Sequence, residues 1–167
     1  MTAGMGLLRL PRSRAPMAQR AFTLMEMIIT ATVLLILASA VIPMAKNGIK
    51  RQKELEMMRD LREMRMAIDA YKLAVDQQKI KPPPIENMGY PESLDKLVEG
   101  AEANGTLSGK FRFLRRIPVD PMTGRAEWGL RSINDEAKST SWGGGNVFDV
   151  YSQANGAGLN GIPYREW

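Results

Sequence analysis

The chain has 167 residues, 44% apolar and 25% charged, with a formal net charge of +5; that is room for one domain and a terminal segment. It contains no cysteine and no histidine, which excludes disulfides, Cys/His zinc sites, cysteine nucleophiles and histidine-based triads. Four of the 23 bases, Arg9, Arg12, Arg14 and Arg20, stand at the start without an acidic partner, and the other 19 face 18 acids, too even a balance for a nucleic-acid footprint.

The first element after the arginines is apolar. Met27 to Ala45 is a run of 19 residues without a charge. As a helix it spans about 28 Å, close to the ~30 Å hydrocarbon core of a bilayer. A basic leader followed by an apolar run also describes a secretory signal peptide, and Ala38-Ser39-Ala40 offers a small-x-small site. The run exceeds the ~7–15 residues of such a signal's apolar region, and no polar mature start follows that site. Orientation cannot be read from charge, because Lys46, Lys50, Arg51 and Lys53 balance the four leading arginines.

Glu26 stands at the head of this run. A carboxylate central in a membrane segment costs on the order of 2.5–3.5 kcal/mol, and less near an end. Two readings accommodate it. In one, Glu26 rests at the interface, near a helix N-terminus whose dipole favours anions. In the other, the chain is cut between Ala21 and Phe22, so that Glu26 becomes the fifth residue of the mature chain. The new amine of Phe22 and the Glu26 carboxylate then neutralise each other, within one helix or between neighbours. At about 4 Å and an effective dielectric near 20 such a pair is worth up to about 4 kcal/mol before desolvation.

Phe22-Thr23-Leu24-Met25-Glu26-Met27-Ile28-Ile29 after a basic leader resembles the processing site of type IV pilins and type II secretion pseudopilins. The resemblance implies that a prepilin peptidase cuts between Ala21 and Phe22 and methylates the Phe22 amine. It implies that Glu26 and Phe22 serve assembly into a helical filament at the inner membrane. Pro43, twenty-second after the cut, falls where the family often has a helix-breaking proline, so a kink is expected there. The family usually has glycine before the cut, where this chain has Ala21.

Beyond Pro43, Met44 to about Lys79 reads as continuing helix. Met57, Leu61, Met64, Ile68, Tyr71 and Val75 form one apolar stripe, surrounded by Arg59, Asp60, Arg62, Glu63, Arg65 and Asp69. The stripe predicts packing on the domain's own sheet rather than a coiled coil. From Phe22 to Lys79 such a helix is about 87 Å long. Pro82-Pro83-Pro84 is the expected stop. Pro91 to Glu99 predicts a short helix closed by Gly100, Glu102 to Lys110 a loop, and Phe111 to Ile117 has no clear type. Pro118 to Gly124 is dense in turn residues, and Ala126 to Ser132 and Val147 to Ser152 read as strands. Between them Asn134 to Asn146 is a loop. Its Gly143-Gly144-Gly145 is followed by no helix or GK[ST], so it is not a phosphate cradle.

"GYPESLDKLVEG", "FLRRIPVDPMTG" and "VFDVYS" resemble the short helix, proline turn and last strand of the major pseudopilins of type II secretion. The resemblance implies an α+β, pilin-like fold: a long N-terminal helix, half transmembrane and half amphipathic, on a small antiparallel sheet with a loop-rich C-terminus. The organisation expected is a cleaved leader (1–21), a membrane and filament-core helix (22–45), an amphipathic helix (46–80) and a small globular domain (81–167). Many members hold calcium in the C-terminal loop. Here Asn155 and Asn160 stand where acids are expected, beside Asp149 alone, which makes these three weak calcium candidates. The plainer expectation is no metal, with a glycine-rich loop anchored by Tyr164 and Trp167.

The implied function is a structural subunit of a type II secretion pseudopilus, single-pass in the bacterial inner membrane with a periplasmic domain. Its implied partners are sister subunits, membrane lipid, the prepilin peptidase, minor pseudopilins and the ATPase-driven assembly platform that exports folded proteins. The alternatives are a pilin of a surface type IV pilus or competence filament, and a membrane-anchored binding domain. An enzyme is not expected, since Asp120, Glu127, Asp135, Glu136 and Asp149 form no paired motif.

Overall fold

The computed structural model describes residues 22–105 and 109–167, so the leader 1–21, with Ala21, lies outside the described residues. The chain divides into two compact units, Met1–Ile42 and Pro43–Trp167. Helix α1, Leu24–Asp76, supplies residues to both, and its backbone stays helical through Pro43.

In the first unit α1 is apolar and none of its described side chains is buried. It is the one helix among the described residues long and apolar enough to cross a membrane. Its few hydroxyls are turned back onto the helix. Thr30 donates to the Met27 carbonyl at 3.0 Å, Thr32 to Ile28 at 2.7 Å and Ser39 to Ile36 at 2.7 Å. These hydroxyls therefore bring no unmet donor into an apolar surrounding, where one would cost several kcal/mol.

In the second unit the stripe on α1 builds the core. Met57, Leu61, Met64, Ile68 and Tyr71 are buried, with Ala67 and Ala74 in phase and Val75 partly covered. Against them pack Leu97 of helix α2 (Leu94–Glu99), Leu114, Trp128, Val147, Val150 and Tyr164. The expected packing of the stripe on its own domain is what forms.

The helix stops before the prolines. Gln78 adopts a left-handed conformation, φ 54°, and two bonds close the end: Gln78 N–H to the Val75 carbonyl at 2.9 Å and Lys79 N–H to Ala74 at 2.9 Å. This is a Schellman arrangement, usually made with glycine or asparagine. Ile80 is then free to enter the core and bridge Ala103. Pro82–Pro84 lies beyond the stop, leading into a 3-10 turn at Ile85–Asn87.

The remaining elements are shorter than their sequence signals. Helix α2 is Leu94–Glu99, not Pro91–Glu99, because Ser93 is extended and its hydroxyl accepts the Lys96 N–H. Gly100 closes it at φ +88°, where an added Cβ would stand 2.8 Å from the Phe111 carbonyl oxygen. The expected loop at 102–110 is paired at both ends. Strand β1, Ala101–Glu102, is antiparallel to β2, Lys110–Phe111, and the segment after α1 bonds along β1's other edge through Lys81 N–H to the Glu102 carbonyl. Loop signals there missed pairing supplied by distant chain. Strands β3, Trp128–Arg131, and β4, Asp149–Ser152, pair antiparallel with Gly129 opposite Tyr151. The small sheet is thus two separate two-stranded pieces.

Candidate functional site

The residues proposed for assembly sit at the head of α1. Thr23 precedes the helix; its hydroxyl accepts the Glu26 N–H at 3.2 Å and its carbonyl the Met27 N–H at 3.1 Å. Thr23 is therefore the N-cap and Glu26 the third helical residue, the Thr-x-x-Glu spacing of a capping box. The sequence carries this signal, although the two readings of Glu26 rest on the helix dipole and on charge pairing rather than on the cap. The local structure places the Glu26 carboxylate in the first turn, beside unpaired backbone N–H groups and the positive end of the helix dipole. Phe22 lies one residue before the cap and is exposed. The head of the helix thus combines an exposed aromatic residue, a hydroxyl cap and a carboxylate, followed by an apolar rod with no buried side chain among the described residues.

Of the three calcium candidates, Asp149 and Asn160 have side-chain oxygens already in use. Both oxygens of Asp149 are held by guanidinium groups: Oδ1 accepts from Arg65 Nε at 2.7 Å, and Oδ2 from Arg131 Nη1 at 3.1 Å. Arg65 also donates to the Val150 and Trp167 carbonyls, and buried Arg131 donates to Ser139 and Arg165 carbonyls while stacking on the Tyr151 ring. Asp149 is the centre of a network joining α1, β3, β4 and the C-terminal segment. Two cations already flank it, so a divalent metal does not fit. Asn160 Oδ1 accepts the Ile162 N–H, a turn bond, and Asn155 is exposed. Among the described residues no group of three or more acidic side chains could hold a metal.

The carboxylates of the other four loose acids, Asp120, Glu127, Asp135 and Glu136, share no partner among the described contacts. Asp120 is buried, accepting the Ser152 hydroxyl at 2.6 Å and the Met122 N–H at 2.8 Å, which fixes the proline turn to β4. Asp135 accepts the N–H groups of Ser132 and Gly143, and these bonds hold its carboxyl below the usual carboxylate range. Glu127 pairs with Arg125 at 3.2 Å, and Glu136 is exposed.

The second unit also contains a cluster that sequence reasoning missed. Glu54 continues the apolar stripe, three residues before Met57, and is buried. Its Oε1 accepts the Tyr164 hydroxyl at 2.9 Å and the Leu159 N–H at 3.0 Å. Lys50, one turn earlier, donates to the Ala157 carbonyl at 2.8 Å. The available signal was the phase of Glu54 with the stripe, which puts a charge on the buried face.

Comparison with known proteins adds the following. The family model described as the prokaryotic N-terminal methylation motif matches residues 16–42. Type II secretion system core protein G of Klebsiella pneumoniae is 30% identical over 108 residues, covering 62% of this chain and 69% of that protein. The protein of the same name from Escherichia coli (strain K12) is 28% identical over 114 residues, covering 65% of this chain and 70% of that protein. No solved structure matches the chain.

Proposed function

Because the chain belongs to the family of type II secretion system core protein G and is a structural subunit of a pseudopilus, we propose that its assembly depends on a charge pair between Phe22 and Glu26. A prepilin peptidase cuts between Ala21 and Phe22 and methylates the new amine, which stays cationic. Subunits wait in the inner membrane as single-pass proteins, the Pro43–Trp167 unit in the periplasm. An assembly platform, with minor pseudopilins, stacks them into a filament that helps drive folded proteins outward. A kink at Pro43, whose ring clashes with the preceding turn and which lacks a backbone donor, is part of this reading.

The observation that carries the proposal is the position of Glu26, in the first turn of an apolar helix with no buried neighbour and four residues after Phe22. A carboxylate carried into lipid at the head of such a helix needs a partner charge, and the processed amine of its own or an adjacent copy supplies one.

The capping geometry favours a second reading, in which Glu26 only stabilises the helix start. Two substitutions separate them. Glu26→Gln keeps the capping-box residue type and removes the charge, whereas Glu26→Val removes both. Charge pairing predicts that both variants are inserted and cut yet fail to co-assemble with wild type. Filament incorporation of Glu26→Gln at the wild-type level would support the capping reading instead.

A further inference from the structure

The C-terminal segment from Gln153 to Trp167 has no helix or strand except a 3-10 turn at Tyr164–Glu166. Something other than a ladder must hold it to α1. At one end its attachments gather around Glu54, while Arg65 of α1 holds the other end through the Trp167 carbonyl. The Glu54 Oε1 atom alone receives the Leu159 N–H and the Tyr164 hydroxyl, at 3.0 and 2.9 Å. A carboxylate side chain only 8% exposed still needs a countercharge.

Lys50 provides it. Its ammonium lies 3.9 Å from Glu54 Oε1, donates to the Ala157 carbonyl at 2.8 Å, and stands 5.8 Å from the centre of the Tyr164 ring. A carboxylate oxygen and a loop carbonyl oxygen around one positive centre are the donor types a hard metal ion takes from a protein. The aromatic face adds a third contact, one suited to an ammonium.

We infer that the Lys50 ammonium is the built-in cation that closes the C-terminal segment on α1, making this closure independent of divalent metal. A metal entering here would have to displace an ammonium tethered one helical turn away. At Asp149 it would meet Arg65 and Arg131. Positive charge is thus supplied by the chain's own side chains at Glu54, which binds the segment, and at Asp149, whose two arginines donate to the segment's Trp167 and Arg165 carbonyls. All these groups lie within Pro43–Trp167, so the inference stands whether or not the Phe22–Glu26 pair drives assembly.

The test uses the full chain in detergent, with two readouts: melting temperature and the rate of chymotryptic cleavage after Leu159. For wild type, both are expected to be the same in millimolar calcium and in EDTA. Lys50→Met keeps the length of the side chain and removes the charge; it should raise the cleavage rate about tenfold by opening the segment. Lys50→Arg should return the rate to near the wild-type value. Lys50 is part-exposed, with 37% of its side chain accessible, so neither change removes core volume. The inference is overturned if calcium raises the wild-type melting temperature or slows its cleavage. It is equally overturned if Lys50→Met cleaves at the wild-type rate.

Discussion

Tyr164 shows how much of this fold rests on single polar contacts. Burial pushes its phenol up to about 12, and the hydrogen bond and negative charge of Glu54 act in the same direction. The native state therefore holds this proton more tightly than the unfolded chain, where the phenol titrates near 10. The stabilisation is complete below pH 10 and disappears as pH rises through about 12. Tyr164→Phe should cost about 1.5–3 kcal/mol at neutral pH, the range for a hydrogen bond to a charged group. It should also flatten this part of the pH profile relative to wild type, measured by urea denaturation. A variant as stable as wild type at pH 8 would show that the Glu54 contact contributes nothing. Anchoring by Tyr164 was legible in the sequence, as an aromatic residue in a glycine-rich tail. Its partner was not, because a carboxylate in phase with an apolar stripe looks the same in sequence whether it is buried or solvated.

At the scale of elements, the stripe on α1 was the clearest signal in the sequence and the structure keeps it. Spacings of three and four residues define a face independently of what packs on it. Met64 and Met66 make the contrast testable, being 0% and 64% exposed on the same helix. Met64→Ala should cost about 2–5 kcal/mol and Met66→Ala less than about 0.5 kcal/mol in urea unfolding. Equal costs would contradict the packing described. The β elements were legible only as positions. Strands β1 and β2 hold two residues each and carry no alternation to read, while the α1 stop lies in a left-handed glutamine rather than in the conspicuous prolines. Gly129 is a further case. A Cβ there would stand 2.1 Å from the Tyr151 ring, so the glycine lets that ring lie across β3 toward Arg131. Gly129→Ala should destabilise by about 1–3 kcal/mol through overpacking, again by urea denaturation, and unchanged stability would mean the ring has room to move.

At the scale of the whole molecule, two kinds of surface belong to two solvents. The Pro43–Trp167 unit buries its stripe and leaves no described buried side-chain donor or acceptor without a partner. The described residues before Pro43 do the opposite: their apolar side chains are uncovered, and the hydroxyls of Thr30, Thr32 and Ser39 are bonded back onto the helix. An isolated chain in water cannot satisfy such a rod, whereas lipid and sister rods can. This division was readable from the uncharged run and the stripe together. The metal question was not, since it turns on Lys50, Arg65 and Arg131 reaching the C-terminal segment from residues far away in the chain.

The central claim is that the mature chain begins with a cationic amine four residues from a membrane carboxylate. Intact mass and N-terminal sequencing of the protein purified from its own cells test it most directly. The account predicts loss of residues 1–21 and an N-methylated phenylalanine as the first residue. A chain that starts after Ala40, or retains its arginine-rich leader in assembled filaments, would contradict it.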